Sequence, residues 1–217
     1  MPNATEQRPN VLMICTDHWS GHLLGAEGHT HILTPTLDPL CDQGVRFTRA
    51  YTTTPSCIPA RRALMTGTSA RTHGDRTFKE RLRMDPELPT LAETFASAGY
   101  QTSAVGKLHV YPQRDRIGFG EALINEEGRH HLGMQKDDYE IHLADAGFAG
   151  EELTHAVGNN DYTVRPWHLP ERNHQTYWTT KQMCRQIQRR DPDRPGFWYC
   201  SYAAPHPPIT PPRDYLE

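Results

Sequence analysis

The chain has 217 residues, of which 36% are hydrophobic and 23% charged, a composition typical of a folded domain with a sizeable core. Its net charge of −3 gives no basic excess, which argues against a nucleic-acid-binding protein. No apolar run approaches the roughly 20 residues that a membrane-spanning helix needs, and the first ten residues lack the apolar stretch of a secretory signal. We therefore expect a cytoplasmic protein with no membrane contact.

The numbers and spacing of cysteines and histidines indicate which disulfide and metal sites the chain could form. The five cysteines are odd in number and scattered, and none has Cys-x-x-Cys spacing, so neither a disulfide framework nor a structural zinc site is expected. Thirteen histidines are many for this length, and most are expected to be surface or hydrogen-bonded side chains.

The first predicted element is a buried strand over Val11–Thr16, a short and continuous apolar run. It ends in Asp17 and His18, which places polar groups at the carboxyl end of the strand, the edge where open α/β sheets bind ligands. Residues 34–36 are expected to open a short helix that ends at Gly44.

The alternating pattern of residues 45–51 predicts a second strand, followed by a polar loop over residues 52–56. Cys57 then precedes Ile58 and Pro59. Because proline is favoured in the first turn of a helix, residues 58–65 are expected to be helical, with Cys57 at or beside the N-cap and Gly67 after the end.

Two further strands are predicted later in the chain. Thr90 and Glu93 have capping-box spacing, so a helix should begin there and run to Gly99. Residues 101–105 form the next predicted strand, and residues 197–203 the last. Strands that alternate with helices indicate an α/β fold, with a mostly parallel central sheet flanked by helices.

The pattern weakens between residues 111 and 172, apart from a helix predicted over Asp138–Asp145. Asp137 and Asp138 are typical of a helix start. We expect a single domain over residues 1–217, in which residues 111–172 form an insertion over the active site.

Four polar clusters fall at predicted strand ends or helix starts. They are Asp17-His18, Cys57 to Arg61, Lys107 to His109, and His206 between prolines. Each alone has an ordinary structural interpretation, such as a helix cap or a solvated loop. Their shared placement at one edge of a parallel sheet predicts that they converge on one site.

The run Cys57-Ile58-Pro59-Ala60-Arg61, followed by Thr66-Gly67, resembles the signature of the formylglycine-dependent sulfatases. Gly106-Lys107-Leu108-His109 and Pro205-His206-Pro207 are similar to two further blocks of that family. The likeness covers residues 8–109 nearly continuously and returns at 197–212. It implies a fold of the alkaline phosphatase superfamily and a sulfuric ester hydrolase that acts on a small-molecule sulfate ester.

The resemblance also implies roles for individual residues. Cys57 would be converted to formylglycine by a formylglycine-generating enzyme, and it would then serve as the nucleophile. Arg61, one helical turn on, would hold the nucleophile and the anion, while Lys107 would bind sulfate. His109 would be the base, and His206 the acid for the leaving group.

A divalent metal is implied as well, with Asp17 and the modified Cys57 as ligands. Calcium is expected because it is a hard ion that prefers oxygen ligands. His18 departs from the family, in which many members carry a second Asp at this position. If His18 touches the metal, its imidazole makes a softer ion such as manganese an alternative.

The remaining metal ligands of the family normally lie later than His206, so the resemblance predicts an N-terminal portion that is incomplete at its C-terminus and weakly active or inactive alone. Two alternatives stay open: a phosphonate monoester or phosphodiester hydrolase of the same superfamily, and a catalytically incomplete anion-binding fragment. Whether the chain forms a homo-oligomer also stays open.

Other candidate positions have simpler interpretations. The pairs His29/His31 and His130/His131 could suggest a further metal site, but surface histidines are the expectation. His174 and Trp178, four residues apart, could line a pocket, although one half-buried helix face is the expected arrangement.

Overall fold

The computed structural model describes residues 8–79, 81–129, 136–154 and 156–216. Within these residues, the centre is a four-stranded parallel sheet in the order β1-β4-β2-β3. The strands are β1 (Val11–Thr16), β2 (Gln101–Gly106), β3 (Glu121–Ile124) and β4 (Gly196–Tyr202). The prediction of a mostly parallel α/β fold is confirmed.

In the described part of the chain, five α-helices accompany the sheet: α1 (Leu37–Gln43), α2 (Cys57–Thr66), α3 (Leu91–Ser97), α4 (Asp138–Asp145) and α5 (Gln175–Gln188). The predicted ends of α1 at Gly44 and of α2 at Gly67 are confirmed. The capping boxes at Thr90 and Asp137 are both formed, so Asp137 is a helix start as expected. No helix of the described residues is long and apolar enough to cross a bilayer.

Both faces of the central strands are covered, because alternate residues of β4 point to opposite sides. Phe197 and Tyr199 belong to one buried cluster, which includes Met65 of α2. Trp198 and Cys200 belong to a second cluster on the other face, to which α4 and α5 contribute. This two-sided burial explains why β4 is a continuous apolar run in the sequence.

The edge strand β1 is covered on one face only. Val11, Met13 and Cys15 pack against the first cluster. Leu12 and Ile14 face the other way and are 48% and 59% exposed. A face of the sheet at β1 is therefore open in the described part of the chain.

The predicted strand over residues 45–51 is wrong. This segment is irregular and makes no ladder with the described strands, and Val45, Phe47 and Tyr51 are each more than 80% exposed. An alternating pattern gives a strand only where a neighbouring strand and a packed face stabilise it, and here it has neither.

The segment of residues 111–172 contains more regular structure than its sequence indicates. β3 pairs with β2 and lies within this segment, as does α4. β3 has only four residues, too few to show a clear alternation. That the segment is an insertion over the active site stays a prediction.

Candidate active site

The predicted site residues lie at the carboxyl ends of three neighbouring strands. Asp17 and His18 follow β1, Lys107 and His109 follow β2, and His206 follows β4. Lys107 Nζ lies 2.5 Å from Asp17 Oδ2, and the rings of His18 and His206 are 4.5 Å apart. The structure therefore brings these side chains together at one edge of the sheet.

Gly106 allows the end of β2 to approach β4 closely. Its φ is +102°, and a Cβ atom there would lie 1.9 Å from the carbonyl oxygen of Ser201. The next residue, Lys107, donates its backbone N–H to that same oxygen. A glycine is therefore required at the position that directs Lys107 into the site.

Cys57 is the first residue of α2, with Ser56 as the N-cap. The side chain of Ser56 makes no capping hydrogen bond, so the first N–H groups of the helix are open to an anion. Burial raises the pKa of the half-buried Cys57 thiol, although the charges of Lys107 and Arg129 act in the opposite direction. An unmodified Cys57 would therefore be largely a protonated thiol at neutral pH, which is a weak nucleophile.

Arg61, one turn further along α2, is buried and heavily hydrogen bonded. Its Nη1 donates to the carbonyl oxygen of Lys107 (2.7 Å), to Ser201 Oγ (2.7 Å) and to Tyr199 Oη (3.1 Å). Its Nη2 lies 3.6 Å from Asp17 Oδ2. One side of the guanidinium thus ties α2 to the ends of β2 and β4, while the other faces the carboxylate.

Lys107 is completely buried between two carboxylates, with Asp17 on one side and Glu127 Oε1 at 2.7 Å on the other. Burial acts to raise the pKa of Asp17, but Lys107 and Arg61 outweigh it and lower that pKa below its ordinary value. Asp17 is therefore ionised at neutral pH. Its Oδ2 has no hydrogen bond of good geometry within the described residues, although the Lys107 ammonium is adjacent.

His109 is buried beneath Lys107 and has a left-handed backbone, with φ of +55°. Its Nε2 lies 3.5 Å from Glu126 Oε2 and 3.8 Å from Glu127 Oε2. Burial lowers the His109 pKa well below its ordinary value, and the nearby cations Lys107, Arg129 and Arg61 lower it further. The imidazole is consequently neutral at neutral pH and can accept a proton.

His206 is also buried, and its Nδ1 lies 2.7 Å from the carbonyl oxygen of Pro207. Because a carbonyl oxygen only accepts, Nδ1 carries the proton and Nε2 is left as the second functional nitrogen. Burial lowers the His206 pKa, whereas Glu127, 3.5 Å away, acts to raise it.

His18 has φ of +64°, and its ring packs against that of His206 with the two planes tilted by 49°. Its Nε2 lies 3.9 Å from Asp17 Oδ1, and the side chain is 42% exposed. Its predicted contact with a metal stays a prediction.

Sequence reasoning missed three charged residues of the site: Glu126, Glu127 and Arg129. They lie at the carboxyl end of β3, in the run Asn125-Glu126-Glu127-Gly128-Arg129. Glu127 Oε2 accepts from Arg129 Nη2 at 3.0 Å. The signal that could have found them is this dense polar run, but it is informative only once β3 is known to be a strand.

The other histidine positions have structural explanations where the structure describes them. His29 Nδ1 accepts from the backbone N–H groups of His31 and Ile32; His29 is partly exposed and His31 is exposed. His174 caps the N-terminus of α5, and Trp178 is in the second buried cluster, as a helix face predicts. His130 and His131 lie outside the described residues.

Within the described ranges, no group of three or more His, Cys, Asp or Glu side chains is arranged to hold a metal ion.

A groove of about 850 Å³ adjoins the site beside His206. Its walls are largely apolar and include Trp19, Tyr177 and Tyr215, while Lys181 and Glu171 supply charges. A groove of this size next to a proton-carrying histidine can accommodate the organic part of a small substrate.

A family model and two curated relatives all indicate the same protein family. The sulfatase family model matches residues 9–217. The chain is 33% identical to an arylsulfatase of Clostridium perfringens, over 97% of this chain and 46% of that protein. It is 29% identical to an arylsulfatase of Klebsiella aerogenes, over 99% of this chain and 46% of that protein.

Solved structures agree on the fold. A phosphonate monoester hydrolase of Agrobacterium radiobacter matches with a TM-score of 0.72 and 24% identity, over 96% of this chain and 43% of that one. The chain thus spans less than half the length of each of these three proteins.

Proposed function

Because the chain belongs to the sulfatase family, we propose that it carries the nucleophile-bearing part of a sulfuric ester hydrolase site, in which Cys57 becomes formylglycine. The observation that carries this proposal is that Cys57 begins α2 within the electrostatic influence of Lys107 and Asp17, which with Arg61 form a buried ion cluster. Open helix N–H groups and two buried cations favour an anion at this position.

The environment of Cys57 supports modification rather than direct thiol chemistry. The raised pKa keeps the thiol protonated, so the side chain is poorly suited to attack sulfur as it stands. Formylglycine would supply a hydrated aldehyde: one hydroxyl would attack sulfur as the bond to the alcohol breaks, and the other, once deprotonated, would expel sulfate and restore the aldehyde.

Asp17 is the described residue best suited to a divalent cation. Its carboxylate is ionised and buried at the carboxyl end of β1, beside the Lys107 ammonium. A hard ion, with calcium as our expectation and manganese as the alternative, would supply charge for the sulfate oxygens. Asp17 would hold it with the modified Cys57, and His18 is a further candidate ligand.

The remaining side chains have complementary protonation states. Lys107 is a fixed cation that can neutralise a sulfate oxygen. Neutral His109 can take a proton from the hydrated nucleophile in the step that releases sulfate. The Nδ1–H of His206 donates to the carbonyl oxygen of Pro207, which orients the ring, and Nε2 would protonate the leaving group when the ring carries a second proton.

A substrate panel tests this proposal on the chain as it stands, produced together with a formylglycine-generating enzyme. We expect an aryl sulfate to be hydrolysed, weakly because the described residues provide few metal ligands, and Cys57→Ala to abolish the release. Preferred hydrolysis of an aryl phosphonate or phosphodiester would instead favour the alternative from the same superfamily. Saturable sulfate binding with no turnover of any ester would favour an anion-binding fragment.

A further inference from the structure

Glu126 is a buried carboxylate for which the proposed chemistry gives no role. It is 1% exposed and lies on the chain segment that follows β3. Its own backbone N–H donates to Asp137 Oδ2 at 2.6 Å, which anchors the segment to the N-terminus of α4. The position of Glu126 is therefore fixed from outside the site.

Glu126 holds the loop that carries His109. Its Oε1 accepts hydrogen bonds from the backbone N–H groups of Leu108, at 3.0 Å, and His109, at 2.9 Å. A left-handed backbone at a non-glycine residue is strained and persists only where the surroundings enforce it. The paired hydrogen bonds to Glu126 provide that constraint at His109.

The second carboxylate oxygen faces the imidazole itself. Glu126 Oε2 lies 3.5 Å from His109 Nε2, and neither atom has a hydrogen-bond partner among the described residues. The other groups that act on His109 are Glu127 on the same segment, the cations Lys107, Arg129 and Arg61, and His206. The two glutamates have carboxylate oxygens within 4.0 Å of Nε2, and Glu126 is the nearer.

We propose that Glu126 is a positioning residue that fixes both the backbone and the ring tautomer of His109, so that Nε2 shares a proton with Glu126 and Nδ1 is left to act. Burial raises the Glu126 pKa to about 7, although the two backbone N–H groups act in the opposite direction. Above that pH the carboxylate accepts from an Nε2–H, which selects the tautomer with an unprotonated Nδ1.

The test is histidine-selective ¹⁵N NMR of the 217-residue chain, at a pH well above the Glu126 pKa. The spectrum of His109→Gln identifies the His109 resonances. The wild type should show the Nε2–H tautomer. In Glu126→Gln an amide oxygen still accepts from the two backbone N–H groups, but an NH₂ faces the ring, so the proton should move to Nδ1.

Two further variants separate positioning from a general effect on the fold. In Glu126→Ala the amides of Leu108 and His109 should exchange with solvent about tenfold faster, as expected for a lost hydrogen bond, whereas in Glu126→Gln they should keep their protection. Asp75→Asn removes another buried carboxylate, which pairs with Arg62, and should change neither readout.

An unchanged His109 tautomer in Glu126→Gln would overturn the proposal, whether or not Glu126→Ala folds. The inference rests on the proposed role of His109 as the base. Its measurements need no turnover, however, so a failure here is distinct from a failure of the proposed hydrolase activity.

Discussion

Strained backbone is concentrated at the candidate site. Among the described residues, six non-glycine residues have positive φ, and His18, His109 and Glu127 are three of them. Such conformations are retained where the surrounding structure enforces them, and they are enriched at functional sites. The strain thus supports a functional interpretation that does not depend on the sequence motif.

The cations of the site are held by contacts that the sequence does not reveal. Arg61 follows from the motif, but its hydrogen bonds to Tyr199 and Ser201 join residues 138 and 140 positions apart in the chain. Glu126 and Glu127 follow a strand too short to recognise, so these two buried carboxyl groups of the site were not predicted. Local sequence patterns therefore identify the side chains that perform chemistry. They are less informative about the side chains that hold those groups in position.

Stability should depend on pH through Glu126. Its pKa is 4.5 ordinarily and about 7 in the folded chain. As pH rises between these values, the unfolded chain loses its proton first, so the free energy of unfolding falls. Glu126→Gln should reduce this fall, as measured by urea unfolding at several pH values.

The reduction should be partial, because the pKa values of Asp137 and Glu152 are also raised by burial. Asp75→Asn retains Glu126 and should therefore keep the wild-type slope. Equal slopes for the wild type and Glu126→Gln would show that Glu126 does not titrate as described.

At the scale of elements, sequence patterns succeeded where a local signal is strong. β1, β2, β4 and α4 were predicted within one residue of their observed bounds, because the strands are short apolar runs and α4 begins at an Asp cap. The segment of residues 45–51 failed for the opposite reason, since its alternation has no partner strand among the described residues.

Gly106 allows the end of β2 to approach β4 next to the site, and replacing it tests whether this close approach requires glycine. Gly106→Ala should destabilise the chain by about 3 kcal/mol or more, because the added Cβ meets the Ser201 carbonyl oxygen in a backbone conformation unsuited to alanine. Gly21→Ala is the matched control, since a Cβ there has no neighbour within 4 Å. Urea unfolding that shows equal losses for the two variants would contradict this account.

At the scale of the whole molecule, the described residues form a sheet packed on both faces at its centre and open beside β1. Leu12 and Ile14 are exposed there, and the groove beside His206 is also open to solvent. The chain spans less than half of the relatives it matches. The predicted cations and histidines of the site are nevertheless assembled, because β1, β2 and β4 are adjacent in the sheet.

The central claim is that Cys57 is the precursor of the catalytic group, and peptide mass spectrometry tests it most directly. The chain would be produced together with a formylglycine-generating enzyme and digested, and the peptide that contains residues 56–62 would be analysed. We expect an aldehyde in place of the Cys57 thiol. An unmodified thiol in this peptide, under conditions that convert a known sulfatase, would contradict it.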